Sequence, residues 1–342
     1  MNSFGVIGAW LSRHACKRRA VLGIASVVAP LLSASAVSAT ASEVFVTNEK
    51  DNTISVISSE QLKVVRTIKV GQRPRGIGIS SDGSTLFVCA SDSNSVQVLD
   101  ARSSKKLYQF AGIDDPEQLA LSADGKRLYV ANEDAGTLTA LDLENRKEIG
   151  QVEVGVEPEG VAASPDNKII AVTSETTNMV HFIDADRLEI IANVLVGSRP
   201  RHVAFSPDGK KLWVSSEIAG VVTVIDVQSH AIEKTIAFEV SGVTADKIQP
   251  VGIRLTRDGK KAFVALGTAN RVAMINTETG RVEKYILTGQ RTWHLALTPN
   301  DRLLFATNGA SNDVTVIDVG RLKALKSIRV GRYPWGAATA QD

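Results

Sequence analysis

Ser206-Pro207-Asp208-Gly209 stands between Val203-Ala204-Phe205 and Lys211-Leu212-Trp213-Val214-Ser215, a four-residue turn between two short apolar runs. Pro207 presets the φ of a type I turn, Asp208 tolerates the bridge region, and Gly209 takes the left-handed conformation that closes a bulged hairpin. The stretch therefore reads as two antiparallel strands. The turn also recurs: its Asp or equivalent falls at Asp82, Asp124, Asp166, Asp208, Asp258 and Asn300, in steps of 42, 42, 42, 50 and 42 residues. A second marker, the proline before the inner run, stands at Pro74, Pro116, Pro158, Pro200, Pro250 and Pro334, with Thr292 in the remaining place. Six of the ten prolines share this register, so the chain is a repeat array, and the secondary structure within one unit decides between solenoid and propeller.

One unit holds four strands and no helix. Residues 201–205, 211–215, 221–226 and 232–237 are rich in β-branched side chains and separated by turn residues. Asp100, Asp142, Asp184, Asp226 and Asp318 recur at the end of the third strand, where a carboxylate accepts hydrogen bonds from turn amides; these are read as structural. The C-terminal stretch Pro334-Trp335-Gly336-Ala337 is a first strand, whereas Glu43-Val44-Phe45-Val46 is a second strand. Joined, the two complete one shared blade and remove the exposed edges an open array would keep. The expected fold is all-β: a seven-bladed β-propeller with four-stranded blades, closed by the C-terminal strand, as a single domain over residues 42–342.

Residues 1–41 read as an export signal. Arg13, Lys17, Arg18 and Arg19 precede a mildly apolar run, and Ala39-Thr40-Ala41 suits signal peptidase. Arg18-Arg19 leaves the twin-arginine route open beside the general secretory one, although Lys17 stands where Ser or Thr is usual. A periplasmic location follows, with no membrane span after cleavage, since Pro30, Ser26, Ser33 and Ser35 make the run a poor span. Removing the segment takes away four basic residues and no acidic ones, leaving 35 against 37. That balance points to neither nucleic acid nor a membrane surface as partner. Cys89 is then the one cysteine, so no intramolecular disulfide forms, and its place in Leu86-Phe87-Val88-Cys89-Ala90 makes it a small core residue.

Leu128-Tyr129-Val130-Ala131-Asn132, Val46-Thr47-Asn48 and Ala306-Thr307-Asn308, with the Ser-Pro-Asp-Gly turns, resemble the YVTN-type β-propeller repeat over essentially all of residues 43–342. The stretches 246–253 and 289–296 narrow the likeness to the β-propeller family associated with PQQ-dependent catabolism. That resemblance implies an exported protein accompanying a PQQ-dependent alcohol dehydrogenase and an associated ABC transporter system, with PQQ as a possible non-covalent ligand. It supplies no activity by itself.

Chemistry is expected where the inner strands begin, at the mouth of the central channel. Arg75, Glu117, Glu159, Arg201, Val251, Trp293 and Trp335 follow the register position in blade order, and Arg73, Asp115, Glu157, Arg199, Gln249, Arg291 and Tyr333 precede it. Guanidinium forks beside aromatic faces suit a planar, carboxylated ligand held by Arg75, Arg201, Arg291, Trp293 and Trp335. The alternative is that Arg75 with Glu117, and Glu159 with Arg201, pair across blades. His202 and His294 replace a glycine kept at Gly76, Gly160, Gly252 and Gly336, with Gln118 a third departure; they are read as polar channel lining. No metal site is expected, because their blades are not adjacent and spacing fixes no third ligand. Glu49, Glu133, Glu175 and Glu217, just past the second strands, are expected on the mouth face, as a docking patch for a basic partner or as solvated loop charge.

The sequence has no Cys-x-x-Cys-His, no Gly-x-Ser-x-Gly elbow and no phosphate loop. Two functions from different classes stand: a non-catalytic binding propeller supporting quinoprotein alcohol oxidation, and a lactonase-like hydrolase working at the mouth. A hydrolase needs a carboxylate, a histidine and an arginine converging there; a binding propeller leaves the charges paired.

Overall fold

In the computed structural model, which describes residues 42–339, the turn at Ser206 is built from its own side chains. The Gly209 N–H donates to the Ser206 carbonyl at 2.8 Å, and Gly209 has φ +71°. The Asp208 carboxylate accepts from the Ser206 hydroxyl at 2.6 Å and from the Lys210 N–H at 3.1 Å. Ser206 Oγ in turn accepts from the Lys211 N–H at 2.9 Å. The same set recurs at Ser164 with Asp166 and at Thr256 with Asp258. Each turn thus fixes the register of the hairpin it closes. The expected export signal lies outside the described residues.

Around this turn the fifth repeat forms β16 (Pro200–Phe205), β17 (Lys211–Ser216), β18 (Val221–Asp226) and β19 (Ile232–Ala237), all antiparallel. The two middle strands are buried on both faces, while β19 alternates toward solvent as the outer edge of the blade. Seven such four-stranded sheets are present. The first is composite: β28 (Pro334–Thr339) pairs with β1 (Glu43–Asn48), followed by β2 (Thr53–Ser58) and β3 (Lys63–Lys69). Val44 faces Thr339, Phe45 faces Ala338 and Val46 faces Ala337, so the ring closes as the repeat count requires.

The core lies between blades. Seven apolar clusters occur among the described residues, each shared by two neighbouring blades. Phe182 and Val180 of blade 4 pack with Val214 and Ile225 of blade 5, and Cys89 is buried among Phe87, Val96 and Val130. The recurrent aspartates serve turns: Asp142 Oδ1 accepts from the Asn145 N–H at 2.8 Å, and Asp226 Oδ1 from the Ser229 N–H at 2.9 Å. No helix among the described residues is long and apolar enough to cross a membrane.

Candidate binding site at the channel mouth

One backbone device sets where the mouth side chains go. The residue before the register position is left-handed without being glycine: φ is +51° at Arg73, +58° at Arg199, +57° at Arg291 and +55° at Tyr333. Such a backbone costs about 1 kcal/mol or more for a residue with a Cβ, and an asparagine of the preceding blade holds it in place. Asn52 Oδ1 accepts from the Arg73 N–H at 3.0 Å, Asn178 Oδ1 from Arg199 at 2.9 Å, Asn270 Oδ1 from Arg291 at 2.8 Å and Asn312 Oδ1 from Tyr333 at 2.9 Å. The ladder then slips, between Pro74 and Ile77 or between Pro200 and His202, which frees the next side chain to reach other blades.

What they reach is mostly carboxylate. Arg75 Nη1 lies 2.5 Å from Glu117 Oε2, and Arg73 donates to Asp115 at 2.6 Å and to Glu117 at 2.8 Å. Arg201 donates to Glu175 and places Nη2 2.8 Å from Glu159 and Nε 3.7 Å from Glu217. Neither Glu159 oxygen makes a hydrogen bond, so its contact with Arg201 is ionic without donor alignment. Arg199 reaches Glu175 at 2.8 Å, and Arg291 reaches Glu217 at 3.0 Å. The cross-blade pairing of Arg75 with Glu117 and Glu159 with Arg201 is therefore present.

Five guanidiniums, Arg73, Arg75, Arg199, Arg201 and Arg291, meet eight carboxylates, Glu49, Asp92, Asp115, Glu117, Glu133, Glu159, Glu175 and Glu217, within 4 Å. Protons absorb part of that excess. Burial pushes the Glu117 carboxyl up to about 7 against the pull of Arg75, and burial holds Glu159 well above the ordinary carboxylate range. Burial also raises Glu175, but Arg201, then the neighbouring Glu159 carboxyl and Arg199, outweigh it and bring that carboxyl below its usual value. For Arg201, burial opposes the charge, and Glu159, Glu175 and Glu217 together still strengthen its hold on the proton.

This geometry corrects the docking patch. Glu49, Glu175 and Glu217 lie on the mouth face as expected, but they are 8%, 3% and 4% exposed, and Glu133 leans on Arg73 at 3.7 Å. They form the inner half of an ion-pair ring and offer little to a partner. Arg201, at 4% exposure, is likewise enclosed by carboxylates. Asp115, Glu117 and Glu133 present three oxygens within 4.8 Å of one another, a spacing that suits a metal ion. The Arg73 guanidinium already bridges all three.

The mouth keeps a cavity beside Trp293. Arg291 lies over the Trp293 ring at 4.3 Å, with Arg201 at 5.7 Å from the same ring. Gly309 admits that indole, since a Cβ there would stand 2.4 Å from Trp293 Nε1. Arg291, Trp293 and Tyr333 line a cavity of about 430 Å³ with Thr268 and Ala310, and Tyr333 is 41% exposed. The eight extra residues of the 50-residue step from Asp208 to Asp258 lie beside this sector and are anchored. Phe238, Val240 and Ile248 are buried with Ile253 and Val264, and Thr268 Oγ1 donates to the Lys247 carbonyl at 2.9 Å.

Below the mouth the channel is plugged. Trp335 lies 5.3 Å beneath the Arg75 guanidinium, the His294 and Trp335 ring centroids are 4.1 Å apart, and those of His202 and His294 are 5.4 Å apart. The two histidines, on blades that are not neighbours, thus meet across the axis, which blade order alone did not reveal. The three departures from glycine also gain a reason. A Cβ on Gly76 would stand 2.8 Å from Gln118 Cα, one on Gly160 2.8 Å from His202 Cα, and one on Gly252 2.8 Å from His294 Cα. Each glycine lets the following blade bring a larger residue to the axis. Arg254, which the repeat register did not single out, completes the plug by donating to His202 Nε2 at 3.1 Å.

A family model described as lactonase, 7-bladed beta-propeller matches residues 187–333; one described as YNCE-like beta-propeller matches residues 3–133, and the cytochrome D1 heme domain model matches residues 84–200. No curated protein matches the chain. Among solved structures, the Kuenenia stuttgartiensis hydrazine synthase is 22% identical at TM-score 0.73, covering 80% of this chain and 91% of that one. A candidate 6-phosphogluconolactonase from Bacteroides uniformis is 20% identical at TM-score 0.73, covering 87% and 99%. A functionally unknown protein from Desulfotomaculum acetoxidans is 18% identical at TM-score 0.74, with the same coverage of 87% and 99%. At these identities the structures speak for the fold alone. The seven closed four-stranded sheets make the chain a seven-bladed β-propeller, similar over residues 187–333 to the lactonase propellers and over residues 3–133 to the YNCE-like ones.

Proposed function

We propose that the protein is an exported, non-catalytic binding propeller, taking a ligand or partner protein at the Arg291, Trp293 and Tyr333 sector of its mouth in support of quinoprotein alcohol oxidation. One observation carries the binding half of this reading: the ionic groups around the rest of the mouth are closed on each other, while this sector keeps a cavity of about 430 Å³ and a half-exposed tyrosine. A planar, carboxylated molecule such as PQQ would face Trp293 and meet the Arg291 guanidinium, which is 28% exposed. The periplasmic location and the link to a PQQ-dependent dehydrogenase or an ABC transporter system rest on the leader sequence and the family resemblance. Titration calorimetry with PQQ on the native and Arg291→Ala proteins is the test. Binding that weakens about tenfold in the variant supports the site; no heat with the native protein rejects PQQ, and equal affinities move the site elsewhere.

A lactonase-like hydrolase is the second reading, favoured by the lactonase model over residues 187–333 and the likeness to a candidate 6-phosphogluconolactonase. Its need for a histidine beside a carboxylate weighs against it. His202 bonds to Arg254, and among the described residues no carboxylate bonds to either channel histidine. Hydrolysis of a six-membered sugar lactone by the purified protein, abolished by His294→Gln, would reverse this preference.

A further inference from the structure

Beneath the plug lies a chamber of about 300 Å³ whose polar side chains are Gln118, His202, Arg254, His294 and Trp335. The Arg254 guanidinium has two contacts, His202 Nε2 at 3.1 Å and its neighbour's carbonyl, Ile253 O, at 2.9 Å; among the described residues no carboxylate pairs with it. Because a guanidinium only donates, His202 Nε2 must accept, and the imidazole proton sits on Nδ1. That Nδ1–H has no partner, and neither have Trp335 Nε1 and Gln118 Nε2. All three residues line the chamber with Arg254 and are 4%, 2% and 7% exposed. Buried donors without acceptors, beside a cation without a counter-charge, are costly unless something negative joins them. A metal ion is excluded by the guanidinium itself. Both histidines are held neutral, His202 by burial and then the Arg254 charge, His294 by burial and then His202 and Arg254, which leaves the Arg254 charge in the chamber. The remaining wall is aliphatic, formed by Leu119, Leu121, Val161, Val203 and Ala337.

We infer that this chamber binds a short-chain monocarboxylate, its carboxylate on Arg254, His202 Nδ1, Trp335 Nε1 and Gln118 Nε2 and its alkyl chain against Leu119 and Leu121. The volume holds roughly ten waters, which suits an acid of about four to six carbons. The route in is from the turn face, where Arg254, Leu119, Leu121 and Ala337 also line a wide funnel of about 820 Å³. The funnel rim carries Asp82, Asp124 and Asp301, whose side chains accept from the Ser84, Lys126 and Arg257 amides; an acidic rim favours one charge over several. The site is separate from the mouth and does not rest on the function proposed there.

Calorimetric titration of the purified protein with acetate, butyrate, hexanoate and chloride tests it. Saturable one-to-one binding of butyrate, tighter than acetate, is expected, with affinity ten- to a hundredfold lower in Arg254→Gln. PQQ binding at the mouth should be the same in that variant, so the two proposals fail separately. As a readout on the native protein, imidazole ¹⁵N spectra should show His202 protonated at Nδ1 and its signal moving with butyrate at the calorimetric constant. No saturable carboxylate binding, a His202 signal that ignores butyrate, chloride binding as tight as butyrate, or equal butyrate affinity in Arg254→Gln would each overturn the inference.

Discussion

Glu117 is where the ion-pair ring is most sensitive to protons. It is fully buried between Arg73 and Arg75, and its carboxyl is raised from the ordinary 4.5 to about 7, first by burial and then by the nearby Glu133. A folded pKa above the unfolded one means the native state binds the proton more tightly, so this stabilisation is complete below about pH 4.5 and is lost as pH rises through 7. Glu159 acts in the same direction, and Glu175, lowered, acts oppositely, losing its contribution as pH falls through its depressed value. Stability should therefore fall between pH 5 and pH 8, and the neutral isostere Glu117→Gln should remove about 1 to 3 kcal/mol of that fall. Parallel Tm profiles for the two proteins would show that Glu117 is not the titrating group. The pairing of Arg75 with Glu117 was legible in the sequence, because the register placed both at equivalent sites on neighbouring blades. Arg254 was not, because it sits two places beyond the register glycine, and only the folded depth of the channel puts it beside His202. The burial of Glu49, Glu175 and Glu217 was hidden for a related reason: a loop residue looks solvated until arginines at the start of the inner strands close over it.

Among the inner strands, the alternation of glycine with a larger residue is what lets seven strands crowd one axis. Gly252 faces the Trp293 carbonyl at 2.7 Å and His294 Cα at 2.8 Å from its would-be Cβ, and both are backbone atoms that cannot swing aside. Gly252→Ala should thus cost about 1 to 3 kcal/mol, whereas Gly125→Ala, with nothing within 4 Å, should cost only the left-handed strain of about 1 kcal/mol. Urea midpoints for the two variants check the ordering, and a smaller loss at Gly252 would mean the blades separate easily. Sequence reading found the glycine register and its three exceptions without their cause, because the relevant contact is between blades rather than along the repeat. Side-chain hydroxyls tie the same strands: Thr47 Oγ1 donates to the Arg75 carbonyl at 2.8 Å, Ser215 Oγ to Val251 at 2.6 Å and Thr307 Oγ1 to Trp335 at 2.7 Å. The Ser206-Pro207-Asp208-Gly209 turn was legible as a turn, since turn chemistry is local and Asp208 needs only its own neighbours.

At the scale of the whole ring, stability depends on closure, because each apolar cluster among the described residues is shared by two blades and an open array would split one of them and expose both halves. β28 supplies the inner strand of the first blade, pairing Val44, Phe45 and Val46, and carries Trp335, 2% exposed, and Ala337, 3% exposed, into the contacts with blades 7 and 2. It also receives the Thr47 side chain, which accepts from the Gly336 N–H at 2.9 Å while donating to Arg75. Removing residues 333–342 would expose the β1 edge and open a cavity where a tryptophan stood, a loss of about 3 to 5 kcal/mol for the side chain alone. In a protein of this size that corresponds to a fall in Tm of roughly 5 to 8 °C. The comparison that isolates closure is Trp335→Ala, which empties the site but keeps the strand: truncation should cost clearly more, because it also breaks the ladder to β1. If truncation and Trp335→Ala lowered Tm equally, the strand pairing would contribute nothing and the seven blades would stand as an open stack held by packing alone.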